Sequence, residues 1–192
     1  MKVGLFFGSF NPVHIGHMAL ANYFMEFTDI QQLWFVISPL NPLKKKESLL
    51  ADHLRFEMVE LAIDDDPRFR ICDIEFRMPK PSYTIDTLVY LEEKYSRHEF
   101  VLIMGSDGLP TFHKWKNYEQ IQTRYTRYIY PRKTEVTINY NSHPNIKVID
   151  HAPQIEVSSS FIRDAISNKK DVRFFLPAKV AEFIDHYNLY KK

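Results

Sequence analysis

The chain has one cysteine, almost no net charge and no long apolar run. The single Cys72 excludes an internal disulfide and a cysteine-based zinc cluster. A formal net charge of +1 gives no overall attraction to nucleic acid or to a membrane surface, so any anion has to be bound locally. No apolar stretch reaches the length of a membrane span, and no signal peptide precedes the first predicted strand. We therefore expect a cytoplasmic protein with no membrane or nucleic-acid partner.

What remains is the composition of one well-packed domain. Of the 192 residues, 45% are hydrophobic and 15% aromatic, enough to bury a substantial core. No internal repeat, low-complexity tract or linker divides the chain. We predict a single domain over residues 1–192, including a C-terminal helix near 177–188.

Apolar runs alternate with amphipathic segments along the chain. Strands are predicted near 2–8, 33–38, 69–74, 100–104, 126–130 and 146–149, and helices near 14–27, 52–65, 84–96, 117–122, 159–167 and 177–188. Such alternation predicts an α/β fold, a doubly wound and mainly parallel sheet with helices on both faces. In the helix at 52–65, Leu54, Met58, Leu61 and Ala62 form the apolar stripe, and Arg55, Glu57 and Asp64 fall outside it.

The segment at residues 8–17, Gly-Ser-Phe-Asn-Pro-Val-His-Ile-Gly-His, follows the first predicted strand. His14 and His17 are three positions apart, so both rings share one face at a helix N-terminus. That end carries unsatisfied N–H groups and the positive pole of the helix dipole, which suit a polyphosphate. Taken alone, such a pair is also typical of surface or capping histidines. Gly8 and Ser9 leave room for a ligand, which favours phosphoryl or nucleotidyl chemistry.

This segment resembles the T/S-x-F-x-P-x-H-x-G-H signature of the nucleotidyltransferase superfamily. The string His-Ile-Gly-His also occurs in class I aminoacyl-tRNA synthetases, but their Lys-Met-Ser-Lys-Ser loop is missing and the chain is too short for one. The resemblance implies a Rossmann-like nucleotidyltransferase fold. It also implies that Gly8, Ser9, Phe10, His14 and His17 bind ATP, with both histidines catalytic.

Two further segments resemble the same superfamily around the phosphates. Residues 157–163, Val-Ser-Ser-Ser-Phe-Ile-Arg, resemble I-S-S-T-x-I-R, which implies that Ser158, Ser159 and Arg163 hold the triphosphate opposite the histidines, with Arg163 also catalytic. Serines at a helix start are otherwise plain caps. A basic run at 44–46 follows the second strand, where Lys44 best matches a catalytic lysine and Lys45 is the alternative. Most such runs are solvated loops.

The acceptor motifs lie between these segments. Residues 82–88 resemble S-Y-T-x-D-T-L of nicotinate mononucleotide adenylyltransferases, implying that Ser82, Tyr83 and Thr84 bind the acceptor. Residues 105–115 resemble G-x-D-x-x-x-x-F-x-x-W, implying that Gly105 and Asp107 bind ATP and that Trp115 stacks on the pyridine ring. Arg132 is a further candidate for an acceptor phosphate, with a solvated surface position as its alternative.

The resemblance implies an enzyme of NAD biosynthesis that joins ATP, carried with Mg²⁺, to nicotinate mononucleotide and releases pyrophosphate. No metal-ligating set is identified in the chain itself. Three alternatives stay open: another phosphorylated acceptor such as pantetheine phosphate, nicotinamide mononucleotide as acceptor, and a non-catalytic nucleotide-binding module.

Overall fold

A computed structural model describes residues 1–39, 49–132 and 139–191 of the chain. Within these ranges one sheet contains six strands: β1 (Lys2–Gly8), β2 (Gln32–Ile37), β3 (Phe69–Cys72), β4 (Glu99–Gly105), β5 (Thr126–Tyr130) and β6 (Ile146–Val148). All neighbouring strands are parallel, and their order is β3-β2-β1-β4-β5-β6. The predicted α/β class and parallel sheet are confirmed.

Six α-helices connect and cover the described strands: α1 (Ile15–Phe27), α2 (Asp52–Ile63), α3 (Thr84–Lys94), α4 (Tyr118–Arg124), α5 (Ser159–Ser167) and α6 (Ala178–His186). Each lies within two or three residues of its predicted bounds. Helix α2 ends where Asp64 takes a left-handed conformation (φ 48°), two residues before the predicted end. The predicted third strand stops two residues early because Asp73 caps a 3₁₀ turn, Ile74–Arg77, that begins one residue after the strand ends.

The sheet is covered on both faces by separate apolar cores. Along β1, Val3 and Leu5 pack into one core with residues of α3 and α4. Phe6 packs into the other core, which includes apolar residues of α1, α2, α5 and α6. Side chains alternate between the faces of a strand, so one strand supplies both cores. This is the doubly wound arrangement that the sequence pattern predicts.

The strand order changes direction between β1 and β4. From β1 the sheet grows to β2 and β3 on one side, and from β4 to β5 and β6 on the other. The connections leave these two central strands in opposite directions, which opens a crevice beyond their carboxyl ends, at Gly8 and Gly105. Among the described helices, none is both long enough and apolar enough to cross a bilayer.

Candidate active site

Two adjoining pockets occupy the crevice beyond β1 and β4. The larger has a volume of about 830 Å³ and is lined by the start of α1, the start of α5 and the segment before α5. The smaller has a volume of about 310 Å³ and is lined by the start of α3, the end of β4 and the turn around Trp115. Residues 6–9, Tyr130 and Arg132 line both pockets and form what we call the shared wall.

The turn after β1 depends on one small residue and one buried ring. A Cβ added to Gly8 would lie 2.8 Å from the ring of Phe10, so only glycine leaves space for that ring. Phe10 has a positive φ of 44° and is 1% exposed, with its ring against Phe6, Phe35 and His17. Of the predicted ATP-binding residues, Phe10 therefore offers its backbone, and not its side chain, to the larger pocket.

The two histidines meet at the N-terminus of α1. Their rings stack with centroids 3.7 Å apart, and both residues line the larger pocket. Nδ1 of His17 accepts a hydrogen bond of 3.2 Å from the backbone N–H of His14, so the ring proton of His17 sits on Nε2. In this tautomer His17 can donate a hydrogen bond to an oxyanion.

His14 is a buried, uncharged member of this pair. His14 is 4% exposed, and its Nδ1 has no hydrogen-bond partner among the described residues. Burial, together with the positive charge of Arg132, lowers the pKa of His14 from 6.5 to about 4. At neutral pH the ring is a hydrogen-bonding group and not a cation.

Gly16 explains how the start of α1 approaches the distant α5 segment. A Cβ at this position would lie 3.1 Å from the ring of His14 and 3.2 Å from Cγ1 of Val157. The absence of a side chain at Gly16 therefore leaves space for the His14 ring and Val157, and the segment before α5 packs directly on the turn that carries the histidines.

The first and last motifs are joined by two hydrogen bonds. Oγ of Ser159 donates to the carbonyl of Pro12 at 2.8 Å, and Nη1 of Arg163 donates to the carbonyl of Asn11 at 2.9 Å. Oγ of Ser158 caps α5 by accepting from the N–H of Phe161. Both histidines and Arg163 line the larger pocket. The Ser159 proton is committed to Pro12, whereas Ser158 accepts through Oγ and keeps its own O–H as a donor. The Ser158 hydroxyl, the N–H groups at the start of α5 and the guanidinium are therefore the natural anion donors.

Arg55 is a correction to the sequence analysis. It falls outside the apolar stripe of α2, yet it is 0% exposed. Its Nη1 donates to the carbonyls of Ser9 (2.7 Å) and Ser38 (2.9 Å), and its Nη2 pairs with the Asp52 carboxylate. The guanidinium satisfies carbonyls beyond the ends of β1 and β2, which the hydrophobic pattern of α2 does not reveal. Arg55 thereby fixes the turn that carries Ser9 into both pockets.

The acceptor candidates gather around the smaller pocket. Tyr83 precedes the first residue of α3, Thr84, and both residues line the pocket. Ser82 lines it too, but its hydroxyl donates to the carboxylate of Glu75 at 2.7 Å, which sequence reasoning missed. The Trp115 ring is half-buried, packs 5.3 Å from the ring of Phe112 between centroids, and lines the pocket at its rim.

Arg132 crosses the end of β4 and faces both pockets. Its Nη1 lies 3.5 Å from a carboxylate oxygen of Asp107, and both side chains are about half exposed. A Cβ at Gly105 would lie 2.6 Å from Cδ of Arg132 and 2.3 Å from Oδ1 of Asp107, so a larger residue there would displace both side chains from their present positions. The structure thus brings Gly105, Asp107 and Arg132 together at the site, and Arg132 is not a solvated residue remote from it.

Tyr130 is a shared-wall residue that the sequence analysis did not identify. Its strand position indicated only a core residue, and the side chain is indeed 7% exposed. It nevertheless lines both pockets, and burial raises the pKa of its hydroxyl.

The predicted residues Lys44 and Lys45 lie outside the described residues, so their roles stay predictions. In the described ranges no cluster of three or more His, Cys, Asp or Glu side chains is arranged to hold a metal ion.

Comparison with known proteins identifies relatives along the full chain. Residues 5–165 match the family described as Cytidylyltransferase-like. A protein of Flavobacterium johnsoniae, named "Probable nicotinate-nucleotide adenylyltransferase", is 52% identical over 100% of both chains. A protein of Cytophaga hutchinsonii with the same name is 47% identical over 96% of this chain and 95% of its own.

Solved structures share the fold. A Plasmodium falciparum nicotinic acid mononucleotide adenylyltransferase complexed with NaAD superposes with a TM-score of 0.82. The alignment covers 98% of this chain and 97% of that one, at 21% identity. The same Plasmodium protein complexed with APC gives a TM-score of 0.80 at 20% identity, covering 98% and 96% of the two chains. At this identity the match establishes the architecture.

Proposed function

The chain belongs to the cytidylyltransferase-like family, and from that premise we propose that it is a nicotinate-nucleotide adenylyltransferase. It transfers the adenylyl group of ATP to nicotinate mononucleotide, giving nicotinate adenine dinucleotide and pyrophosphate, a step of NAD biosynthesis. Relatives named for this activity align with the whole chain at 50–52% sequence identity. The single domain is proposed to span residues 1–192.

The observation that carries the assignment is that the two pockets are joined by a shared wall. The larger pocket brings together imidazole rings, a guanidinium and two helix starts, which are groups that bind phosphates. The smaller pocket has a tryptophan face and carboxylates, which suit a cationic pyridinium ring and ribose hydroxyls. An acceptor phosphate and the α-phosphate of ATP would meet at the wall itself.

The chemistry requires positioning and charge stabilisation more than proton transfer. The acceptor phosphate is already an anion near neutral pH, so its oxygen attacks the α-phosphorus in line and pyrophosphate leaves without a general base. The Nε2–H of His17 is proposed to donate to the α-phosphate as negative charge develops there. Arg163, neutral His14 and Lys44 are proposed to hold the β,γ-phosphate oxygens.

On the acceptor side, the backbone at the start of α3 offers N–H groups beside Thr84. The first N–H groups of a helix have no partner inside the helix, so they suit the nicotinate carboxylate. Trp115 is proposed to stack on the ring, and Asp107 to accept ribose hydroxyls. Arg132 is proposed to contact the acceptor phosphate from the shared wall.

ATP is the adenylyl donor of this enzyme class, and Mg²⁺ is proposed to arrive as part of the ATP complex. Magnesium commonly keeps water and substrate phosphates as its ligands, so it needs no dedicated protein cage. We also propose a cytoplasmic location, consistent with the buried Cys72 thiol, whose pKa burial raises to about 11.

The test is turnover of the purified protein. ATP-Mg²⁺ is incubated separately with nicotinate mononucleotide, nicotinamide mononucleotide and pantetheine phosphate, and pyrophosphate release is followed. The highest kcat/KM is expected with nicotinate mononucleotide, because the helix N-terminus favours a carboxylate. Faster turnover with either other acceptor would reassign the substrate, and no turnover with any of them would refute an adenylyltransferase of this type.

A further inference from the structure

Glu75 is a buried carboxylate that the proposed chemistry does not use. It lies in the 3₁₀ turn after β3, its residue is 2% exposed, and it lines the smaller pocket but not the larger one. A buried ionisable group needs compensating hydrogen bonds, because an unpaired charge is strongly disfavoured away from water. Its partners therefore indicate what it stabilises.

Hydroxyl groups from separate segments surround this carboxylate. Oγ of Ser82, in the turn before α3, donates to Oε2 at 2.7 Å. Oγ1 of Thr87, in the first turn of α3, donates to Oε1 at 2.8 Å. The hydroxyl of Ser38, directly after β2, lies beside this carboxyl and, with Ser82 and Thr87, opposes the rise in its pKa that burial causes. An ionised carboxylate can accept all of these bonds at once, whereas a glutamine would offer an N–H₂ donor in place of one oxygen.

These bonds fix the edge of the smaller pocket. Ser82 and Thr87 flank Tyr83 and Thr84, so holding both hydroxyls sets where the first N–H groups of α3 point. Ser38, directly after β2, lies beside the same carboxyl and lines the smaller pocket. We infer that Glu75 is a positioning residue for the acceptor mononucleotide: its carboxylate orients the start of α3 for recognition of the ring without touching the reacting phosphates. This inference relies on the proposed function for assigning the acceptor to the smaller pocket.

The direct test is Glu75→Gln, which keeps the volume and replaces one acceptor oxygen with a donor. The KM for nicotinate mononucleotide should rise about tenfold, equivalent to about 1.4 kcal/mol, as for one lost hydrogen bond to a charged group. The KM for ATP and kcat should stay within about twofold, because the change weakens acceptor binding alone.

Two partner variants test the same network without altering the carboxylate. Ser82→Ala and Thr87→Val each remove one hydroxyl and should raise the KM for nicotinate mononucleotide in the same selective way. Combining either with Glu75→Gln should give less than the product of the single effects, because the residues share one hydrogen-bond network. If Glu75→Gln fails to fold, Ser82→Ala and Thr87→Val test the same inference by themselves, through the KM for nicotinate mononucleotide.

Thr28→Val is the matched control. The Thr28 hydroxyl donates to the carbonyl of Phe24 at the end of α1 remote from the pockets, so its removal should lower stability and leave both KM values unchanged. An unchanged KM for nicotinate mononucleotide in Glu75→Gln would overturn the inference. Equal changes in both KM values with a lower melting temperature would also overturn it, since they indicate a structural role alone. Failure of the wild-type protein to turn over any acceptor would instead refute the proposed function.

Discussion

The larger and smaller pockets share a wall but are assembled from different parts of the chain. The larger one joins the turn after β1 to the start of α5, and its polar groups are imidazoles, a guanidinium and helix N–H groups. The smaller one uses residues from the middle of the chain, with Glu75, Asp107 and the Trp115 face among them. The larger pocket gathers hydrogen-bond donors for an anion, whereas the smaller one combines an aromatic face, the Asp107 carboxylate and the N–H groups at the start of α3. Under the proposed function, each half of the dinucleotide product has its own pocket, and the new bond forms at the shared wall between them.

The largest effect is expected from removing His17, the hydrogen-bond donor proposed for the negative charge that develops on the α-phosphate. His17→Ala should lower kcat about 10²- to 10³-fold, the range seen when one preorganised transition-state donor is lost. Pyrophosphate release measures kcat, and circular dichroism checks the fold. His186→Ala, an exposed histidine of α6, should leave kcat unchanged. A near-normal kcat in His17→Ala would contradict the proposed role.

The second prediction concerns the charge of the larger pocket. The pKa of His14 is about 4 in the folded protein, below its ordinary value of 6.5, so the unfolded chain binds more protons between these two values. The folded state should therefore lose stability as pH falls from 6.5 to 4, with a contribution from His14 on the order of 3 kcal/mol.

Urea unfolding of the wild type and of His14→Asn at pH 7 and pH 4 measures this contribution, since all other groups titrate in both proteins. The variant should lose less stability on acidification than the wild type. Equal losses would show that the ring is not held neutral. The exposed His186→Asn should behave as the wild type does.

The third and smallest prediction addresses the shared wall. Arg132→Gln should raise the KM for ATP and the KM for the acceptor together, each about fivefold, because a half-exposed cation contributes modestly to anion binding. Arg124→Gln provides the control, since this exposed arginine on α4 pairs with Glu92 away from both pockets. A rise in only one of the two KM values would assign Arg132 to a single pocket.

The fold and the motif positions were predictable because they follow from periodicity and order along the chain. The alternation of apolar runs and helices predicts the parallel sheet, and residues beyond the carboxyl ends of strands meet at one edge. The spatial meeting of His17 with Arg163 was predictable for this reason. Cys72 falls within the third predicted strand, near 69–74, and lies buried at the end of β3.

The supporting polar groups were not predictable in the same way. Arg55 lies off the apolar stripe, and its burial depends on backbone carbonyls contributed by other segments. Glu75 similarly depends on hydroxyls that only the folded chain brings together. Tyr130 was hidden because an aromatic residue in an apolar strand is ordinarily core. Hydrophobic patterns report which surfaces are buried, but not which buried polar atoms find partners.

The hydrogen bond from Ser159 to Pro12 links positions 147 residues apart, and that from Arg163 to Asn11 links positions 152 apart. During synthesis, the histidine turn near the N-terminus therefore cannot make these hydrogen bonds until residues 159–163 have been added to the chain. Closing so long a loop carries an entropic cost that grows only slowly with its length. The proposed triphosphate site, however, needs residues from both ends of the chain. A fragment ending before α5 would lack Ser159 and Arg163, and with them half of the proposed triphosphate site.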